Sequence, residues 1–321
     1  GPWRSEVGFE ALYWMPFLKW CAIQVPAFAD RMCVVSRGGA SALYSFIRWA
    51  DLYTLRSVAD VRRENLYDWS TSRLQKQMKA TKWDRDVLKD AAKAVGITGR
   101  YHTLHPSWMY WALEPFWNED RSLKYLQSMT DYSPLPKPDS PVPFPFVPGK
   151  YVAMKFYGRA TFPHPHPDTA RFMGEVAAIV ASQTPVVLLN TGHDGDEHIE
   201  IPISGPNVFP LPKVAPEQNL ALQLAVLGKA TAFVGTYGGV AQTALRMGVP
   251  SISFWTEFGG TCHAHLSLSS HLSKRTKVPF LVGSLNDAFL WKQVLTMPMP
   301  AVMVPPPPQP ARVAEIETVP A

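Results

Sequence analysis

The chain has 321 residues, of which 46% are hydrophobic and 18% charged, enough apolar mass for a large core and too much for a disordered chain. At roughly 150 residues per domain the first expectation is two domains, and no apolar run approaches the roughly 20 residues of a membrane-spanning helix. The net charge of +5 sits wholly in residues 1–150, with 20 Lys+Arg against 15 Asp+Glu, whereas residues 151–321 balance at 11 each; without a Lys/Arg run, zinc signature or RNP-like motif this does not mark a nucleic-acid partner.

The chain opens on an apolar segment, Phe9 to Trp20, whose length suits a helix and whose Pro16 predicts a kink. Arg31 to Ser36 reads as a short strand, followed by Arg37-Gly38-Gly39 and a helical pattern from Ser41 to Ala50. Residues 84–95 form a strong helix stopping near Gly96, and Arg100 to Leu104 reads as a strand. A first strand is missing or cut short upstream of Glu6. Residues 134–148 then carry seven prolines in fifteen, which forbids helix and central strand and predicts a semi-rigid linker over 134–149, anchored by Phe144 and Phe146.

After the linker the alternation is cleaner. Strands are expected at Tyr151–Tyr157, Pro185–Asn190, Ala232–Thr236, Ser251–Trp255 and Pro279–Val282. Helices are expected at Asp168–Gln183, Pro216–Leu227, Gly239–Met247, His263–Arg275 and Leu285–Leu295. Apolar strands alternating with amphipathic helices call for a parallel sheet covered on both faces. A second proline-rich stretch, 298–321, reads as a tail. The domains are therefore 1–133, the linker 134–149, 150–297 and the tail, with a cleft between the two halves where ligands of open parallel sheets bind.

The segment from Ala215 to Trp255 (APEQNLALQLAVLGKATAFVGTYGGVAQTALRMGVPSISFW) is the most informative. Gly238 and Gly239 open a helix directly after a strand. Glycines there permit either close backbone approach to an anion or merely a tight turn. The stretch resembles the carboxyl-terminal half of GT-B glycosyltransferases, and Val249-Pro250-Ser251-Ile252-Ser253-Phe254, preceded by Gly248, matches their "GxPxIxF" strand. Glu6-Val7-Gly8-Phe9-Glu10 is similar to the acceptor-facing loop of bacterial enzymes of that fold.

The resemblance implies an α/β protein of GT-B fold, with two Rossmann-like domains facing a central cleft, that transfers a sugar from a nucleotide-sugar co-substrate to a glycan or lipid-linked acceptor. It implies no bound metal and no other cofactor. Donor binding is expected at the turn Thr236, Tyr237, Gly238 and Gly239, and at Lys155, Tyr157, Arg159 and Arg37, whose cations would stabilise a leaving diphosphate. Glu10 and Glu6 are the candidates for a general base, with Glu10 preferred. The run from His193 through Asp194, Asp196 and His198 to Glu200 suits sugar or ribose hydroxyls better than a metal. Aromatic residues Tyr13, Trp14, Phe17 and Trp20, and Trp108, Tyr110 and Trp111, are expected mostly in the core, with a stacking platform as the alternative.

A nucleotide-sugar epimerase or hydrolase of the same fold, and a non-catalytic sugar-binding relative, are the alternatives to a transferase. No GxGxxG follows a strand and no GxSxG is present, against a dehydrogenase and a serine hydrolase. Cys21, Cys33 and Cys262, without a CxxC, fit a reducing compartment. The expected location is the cytoplasm, with peripheral contact at the anionic inner face of the membrane.

Overall fold

Pro16 shapes the first element. The computed structural model describes residues 1–72, 76–143, 149–158, 167–190, 192–193, 199–256 and 262–297. Helix α1 (residues 7–24) runs in three registers: an α-helical turn Val7–Phe9, a π-helical turn Glu10–Trp14 and a regular stretch Met15–Gln24. The N–H of Met15 reaches back five residues to Glu10 O. Pro16 has no N–H, so it serves neither Leu12 O in the α register nor Ala11 O in the π register. Both carbonyls are filled from elsewhere in the chain. Tyr132 Oη donates to Leu12 O at 2.8 Å, and Arg246 Nη1 donates to Ala11 O at 2.5 Å.

Two parallel strands follow, β1 (Cys33–Ser36) and β2 (Arg48–Asp51). The helix expected over 41–50 is replaced by a single 3₁₀ turn, Ala40–Tyr44, and by β2 itself. Leu43, Phe46, Ile47 and Ala50 fit helical spacing, but the Ile47–Ala50 run also offers an apolar strand to the open edge of β1, and the tertiary pairing wins. Helices α2 (Val58–Ser72), α3 (Lys82–Ala94) and α4 (Pro106–Trp117) are the longer helices that follow in the first half, beside short helical turns at Pro26–Ala29 and Leu123–Gln127. Thr81 and Asp84 close a capping box on α3. The strand expected at 100–104 forms no ladder. Instead Gly1 N donates to Leu104 O and Trp3 N to Val35 O, so residues 1–3 lie beside both segments.

The second half is built on β3 (Val152–Lys155), β5 (Val186–Leu188), β7 (Val208–Pro210), β8 (Ala232–Thr236), β9 (Ser251–Trp255) and β10 (Phe280–Ser284), and β4 (Tyr157–Gly158) and β6 (Ile199–Glu200) form a separate antiparallel ribbon. All pairings in the six-stranded sheet are parallel, in the order β10-β9-β8-β3-β5-β7. Counted from β3, this is the doubly wound order 3-2-1-4-5-6. The interior strands are buried on both faces, as their apolar runs predict. Helices α5 (Pro167–Ala181) and α9 (Ala288–Thr296) cover one face through Phe172, Val176 and Leu295.

Helices α6 (Pro216–Lys229), α7 (Gly239–Arg246) and α8 (Cys262–Thr276) cover the other face. The core on that face continues without a break into α1 and α4, through Leu12, Tyr13, Trp14, Met109 and Leu113. The two sheets are separate, but α1 belongs to the packing of both halves. Leu135 of the proline-rich segment is buried and donates its N–H to Arg246 O. Phe144, Phe146, Arg159, residues 194–198 and the tail 298–321 lie outside the described residues. Among the described residues no helix is long and apolar enough to cross a membrane.

Candidate functional site

In a doubly wound sheet the chain leaves neighbouring strands in opposite directions at one point, and the crevice there accepts ligands. Here that point lies between β3 and β8, where Lys155 stands opposite Gly235. A cleft of about 940 Å³, counted out to open solvent, begins there. One wall is Lys155, Tyr157, Glu200 and the start of α7 at Gly239 and Val240. The facing wall comes from the first half: Glu6, Val7, Gly8, Arg37, Gly38 and Tyr53. Asn219, Leu220 and Gln223 of α6 and His193 complete the lining.

Lys155 is the last residue of β3, which brings its ammonium to the crevice. It donates to Glu200 Oε1 and Gln223 Oε1, both at 2.9 Å, and to Leu189 O at 3.3 Å. Arg37 follows β1 and lines the opposite wall with its side chain 11% exposed. Its Nη1 lies 3.4 Å from Glu10 Oε2. The turn that carries Arg37 is held by Asp51 at the end of β2, which accepts from Gly38 N at 3.3 Å and Gly39 N at 2.7 Å. Both glycines have positive φ, 70° and 79°, a conformation that costs other residues about 1 kcal/mol or more.

Glu6 and Glu10 part company. Glu6 stands at the N-cap position of α1, without a side-chain capping bond, and lines the cleft. Glu10, the preferred base in the sequence, begins the π turn and is fully buried behind the cleft wall. Its carboxylate accepts from Ser36 Oγ, from Tyr44 Oη at 2.6 Å and from Arg37. Burial pushes its pKa up, against the opposing pull of Arg37, Ser36 and Tyr44. A carboxyl group in this cage holds the Arg37 guanidinium and does not line the cleft.

The four residues of the glycine turn also divide. Gly239 lines the cleft. Thr236 is buried, and its hydroxyl accepts from Tyr157 N at 3.1 Å, fastening β4 to the end of β8. Tyr237 is buried with its ring edge-on to Phe280, away from the cleft. The close approach that glycine permits at 239 is made by protein: a Cβ there would lie 2.5 Å from Gly8 N and 3.0 Å from Gly8 Cα. Gly39 shows the same arrangement in reverse, with Glu217 O and Ala221 Cβ of α6 both 2.7 Å from the place of a Cβ. Each half thus uses a glycine turn to admit the backbone of the other.

Tyr53, Asn219 and Gln223 are lining residues that the sequence did not single out. For the last two a signal exists: Asn219 and Gln223 stand four apart on α6, and Gln223, with the largely apolar run Leu220 to Leu227 around it, is buried. Trp108 and Trp111 are each more than half exposed, at 56% and 58%, and do not line this cleft, whereas Tyr13, Trp14 and Tyr110 are core. Among the lining residues described, two cations, Arg37 and Lys155, balance two carboxylates, Glu6 and Glu200.

No protein-family model and no curated protein sequence matches the chain. Two transferases are among the solved structures similar to it in chain outline. One is a glycosyl transferase family 9 protein from Veillonella parvula, at 12% identity and a TM-score of 0.37, with 93% of this chain and 88% of that one covered. The other is the heptosyltransferase WaaC of E. coli with ADP, at 13% identity and a TM-score of 0.34, covering 85% and 95%. Likenesses this remote assign no activity to the chain, and its function is read from the geometry of the cleft.

Proposed function

We propose that the chain is a nucleotide-sugar-dependent glycosyltransferase of GT-B type, acting on a glycan or lipid-linked acceptor in the cleft between its halves. The observation that carries this reading is the switch point of the 3-2-1-4-5-6 sheet, which opens between β3 and β8 into a cleft whose far wall is the first half. The donor's diphosphate lies against Lys155 and the start of α7, where the helix dipole and a fixed ammonium stabilise the charge left as the glycosidic bond breaks. Arg37 meets it from the opposite wall. Glu6, which lines the cleft, takes the proton of an acceptor hydroxyl in this reading, and Glu10 serves by holding Arg37. The basic excess of residues 1–150 supports an anionic acceptor or an anionic surface on that side.

Titration with ADP, CDP, GDP and UDP, followed by turnover of the matching nucleotide sugars, tests the proposal. One nucleotide is expected to bind, and Lys155→Ala to weaken it by about tenfold or more, the scale of a lost charge-assisted contact. Glu6→Gln is expected to leave that affinity nearly unchanged and to lower transfer by about 10²-fold or more. Failure of every nucleotide to bind would refute the proposal, and full transfer by Glu6→Gln would remove Glu6 as the base. Donor turnover without any acceptor would point to a hydrolase or epimerase instead.

A further inference from the structure

Lys155 presents three ammonium protons, and the structure gives all three an acceptor: Leu189 O, Gln223 Oε1 and Glu200 Oε1. A phosphate oxygen therefore reaches this lysine only if one acceptor leaves. Leu189 O cannot, because Leu189 is fixed in the sheet through its N–H to Met154 O. Gln223 is held on α6, with its Nε2 donating to Asn219 Oδ1 at 3.1 Å, and it carries no charge for an anion to repel. Glu200 differs on both counts. It sits on the two-residue strand β6, which among the described residues pairs with β4, and its side chain is 17% exposed at the cleft. Its other oxygen, Oε2, accepts from Gly192 N at 2.9 Å, a bond that can persist when Oε1 turns toward solvent.

We infer that Glu200 is an internal anion occupying the seat on Lys155 that a diphosphate oxygen takes, so that donor binding is an exchange of one anion for another. This rests on the donor site proposed above. The exchange keeps Lys155 neutralised throughout, which avoids leaving a largely buried ammonium without a counter-charge. It also sets a threshold. A ligand displaces a carboxylate from a 2.9 Å ion pair only by bringing more negative charge than the carboxylate removes. A diphosphate does so, and a neutral sugar does not. Glu200 thereby makes the cleft selective for the activated donor over the free sugar and guards the leaving-group cation from weak anions.

The test is calorimetric titration of the full chain with ADP, CDP, GDP, UDP and inorganic pyrophosphate, using the wild type, Glu200→Gln, Lys155→Ala and the double variant. Glu200→Ser is added in case Glu200→Gln melts early. Removing the internal anion is expected to tighten nucleoside diphosphate binding by about tenfold, the size of one charge pair at short range in a half-buried site. Lys155→Ala is expected to erase that gain, so that the double variant binds like Lys155→Ala alone. Equal or weaker binding by both Glu200 variants, with wild-type binding intact and sensitive to Lys155→Ala, would overturn the inference and leave the donor site standing. Weaker binding that also requires Mg²⁺ would overturn it in favour of a carboxylate that bridges a cation. If no probe binds any of the proteins, the donor site itself falls, and this inference falls with it.

Discussion

Arg246 and Pro16 are expected to be energetically coupled although they belong to different halves of the chain. Arg246 closes α7, is 5% exposed, and donates to Ala11 O at 2.5 Å and Ser133 O at 2.7 Å, with Tyr132 beneath its guanidinium at 5.4 Å. Two hydrogen bonds from a charged donor contribute about 3–6 kcal/mol together before desolvation. Burial of the guanidinium opposes this and brings its pKa down to about 10 from 12.5, which corresponds to about 3 kcal/mol. Arg246→Met, which keeps the apolar stem, is therefore expected to destabilise the fold by about 1–3 kcal/mol. Much of that loss comes from Ala11 O, left buried without a donor because residue 16 is proline. In Pro16→Ala the restored N–H can serve the same carbonyl, at about 1–2 kcal/mol for a buried acceptor satisfied again. Urea unfolding of the two single variants and the double variant measures the coupling directly. Arg246→Met is expected to cost about 1–2 kcal/mol less in the Pro16→Ala background. Additivity within about 0.5 kcal/mol would show that the proline does not create the need for the arginine.

Gly239→Ala is expected to lower stability by about 1–3 kcal/mol, because its Cβ meets the Gly8 backbone and α1 must shift away from α7. Gly8→Ala meets Gly239 Cα at 2.9 Å, so the double variant should cost less than the sum, and thermal melting reads this; an unchanged melting temperature in Gly239→Ala would contradict it. Asp84 supplies a pH test. Burial alone would raise its pKa, but the His105 hydrogen bond, the Arg4 charge and the Thr81 N–H outweigh burial and hold it at about 2. A carboxyl depressed in the folded state stabilises it above the unfolded value of 3.8, and that stability is lost as pH falls through about 2. The contribution is about 2.5 kcal/mol, so Asp84→Asn should flatten the loss of stability between pH 4 and pH 2, measured by urea unfolding at each pH, and an unaltered slope would exclude Asp84 as its source.

Much of the second half was legible because its strands are buried on both faces and its helices on one, so that period and punctuation agree. Ala232–Thr236 and Ser251–Trp255 are strands as expected, and Gly239 opens a helix. The first half was less legible. Leu43, Phe46, Ile47 and Ala50 satisfy a helix and a strand equally, and only the free edge of β1 decides between them. Lys155 was visible as a charge in an apolar strand, since a cation there requires a partner or a cleft. Which partner it has was not visible, because Glu200 lies 45 residues away on a ribbon defined only by its pairing with Tyr157 and Gly158.

The amino-acid sequence alone determined what is local: Pro16 removes a donor from the first helix, Thr81 and Asp84 cap another, and glycines stand where strands turn into helices. The tertiary structure alone decided what those local features are for. The carbonyls orphaned by Pro16 are met by Tyr132 and Arg246, and Gly239 is a glycine because Gly8 lies against it. Glu10 and Glu6, four residues apart on one α-helical turn, differ in exposure because Ser36, Arg37 and Tyr44 of the first half close over Glu10, while Glu6 lines the cleft. Distance along the chain sets which hydrogen bonds are lost. Only the folded chain sets which atoms replace them, because the replacements come from residues more than a hundred positions away.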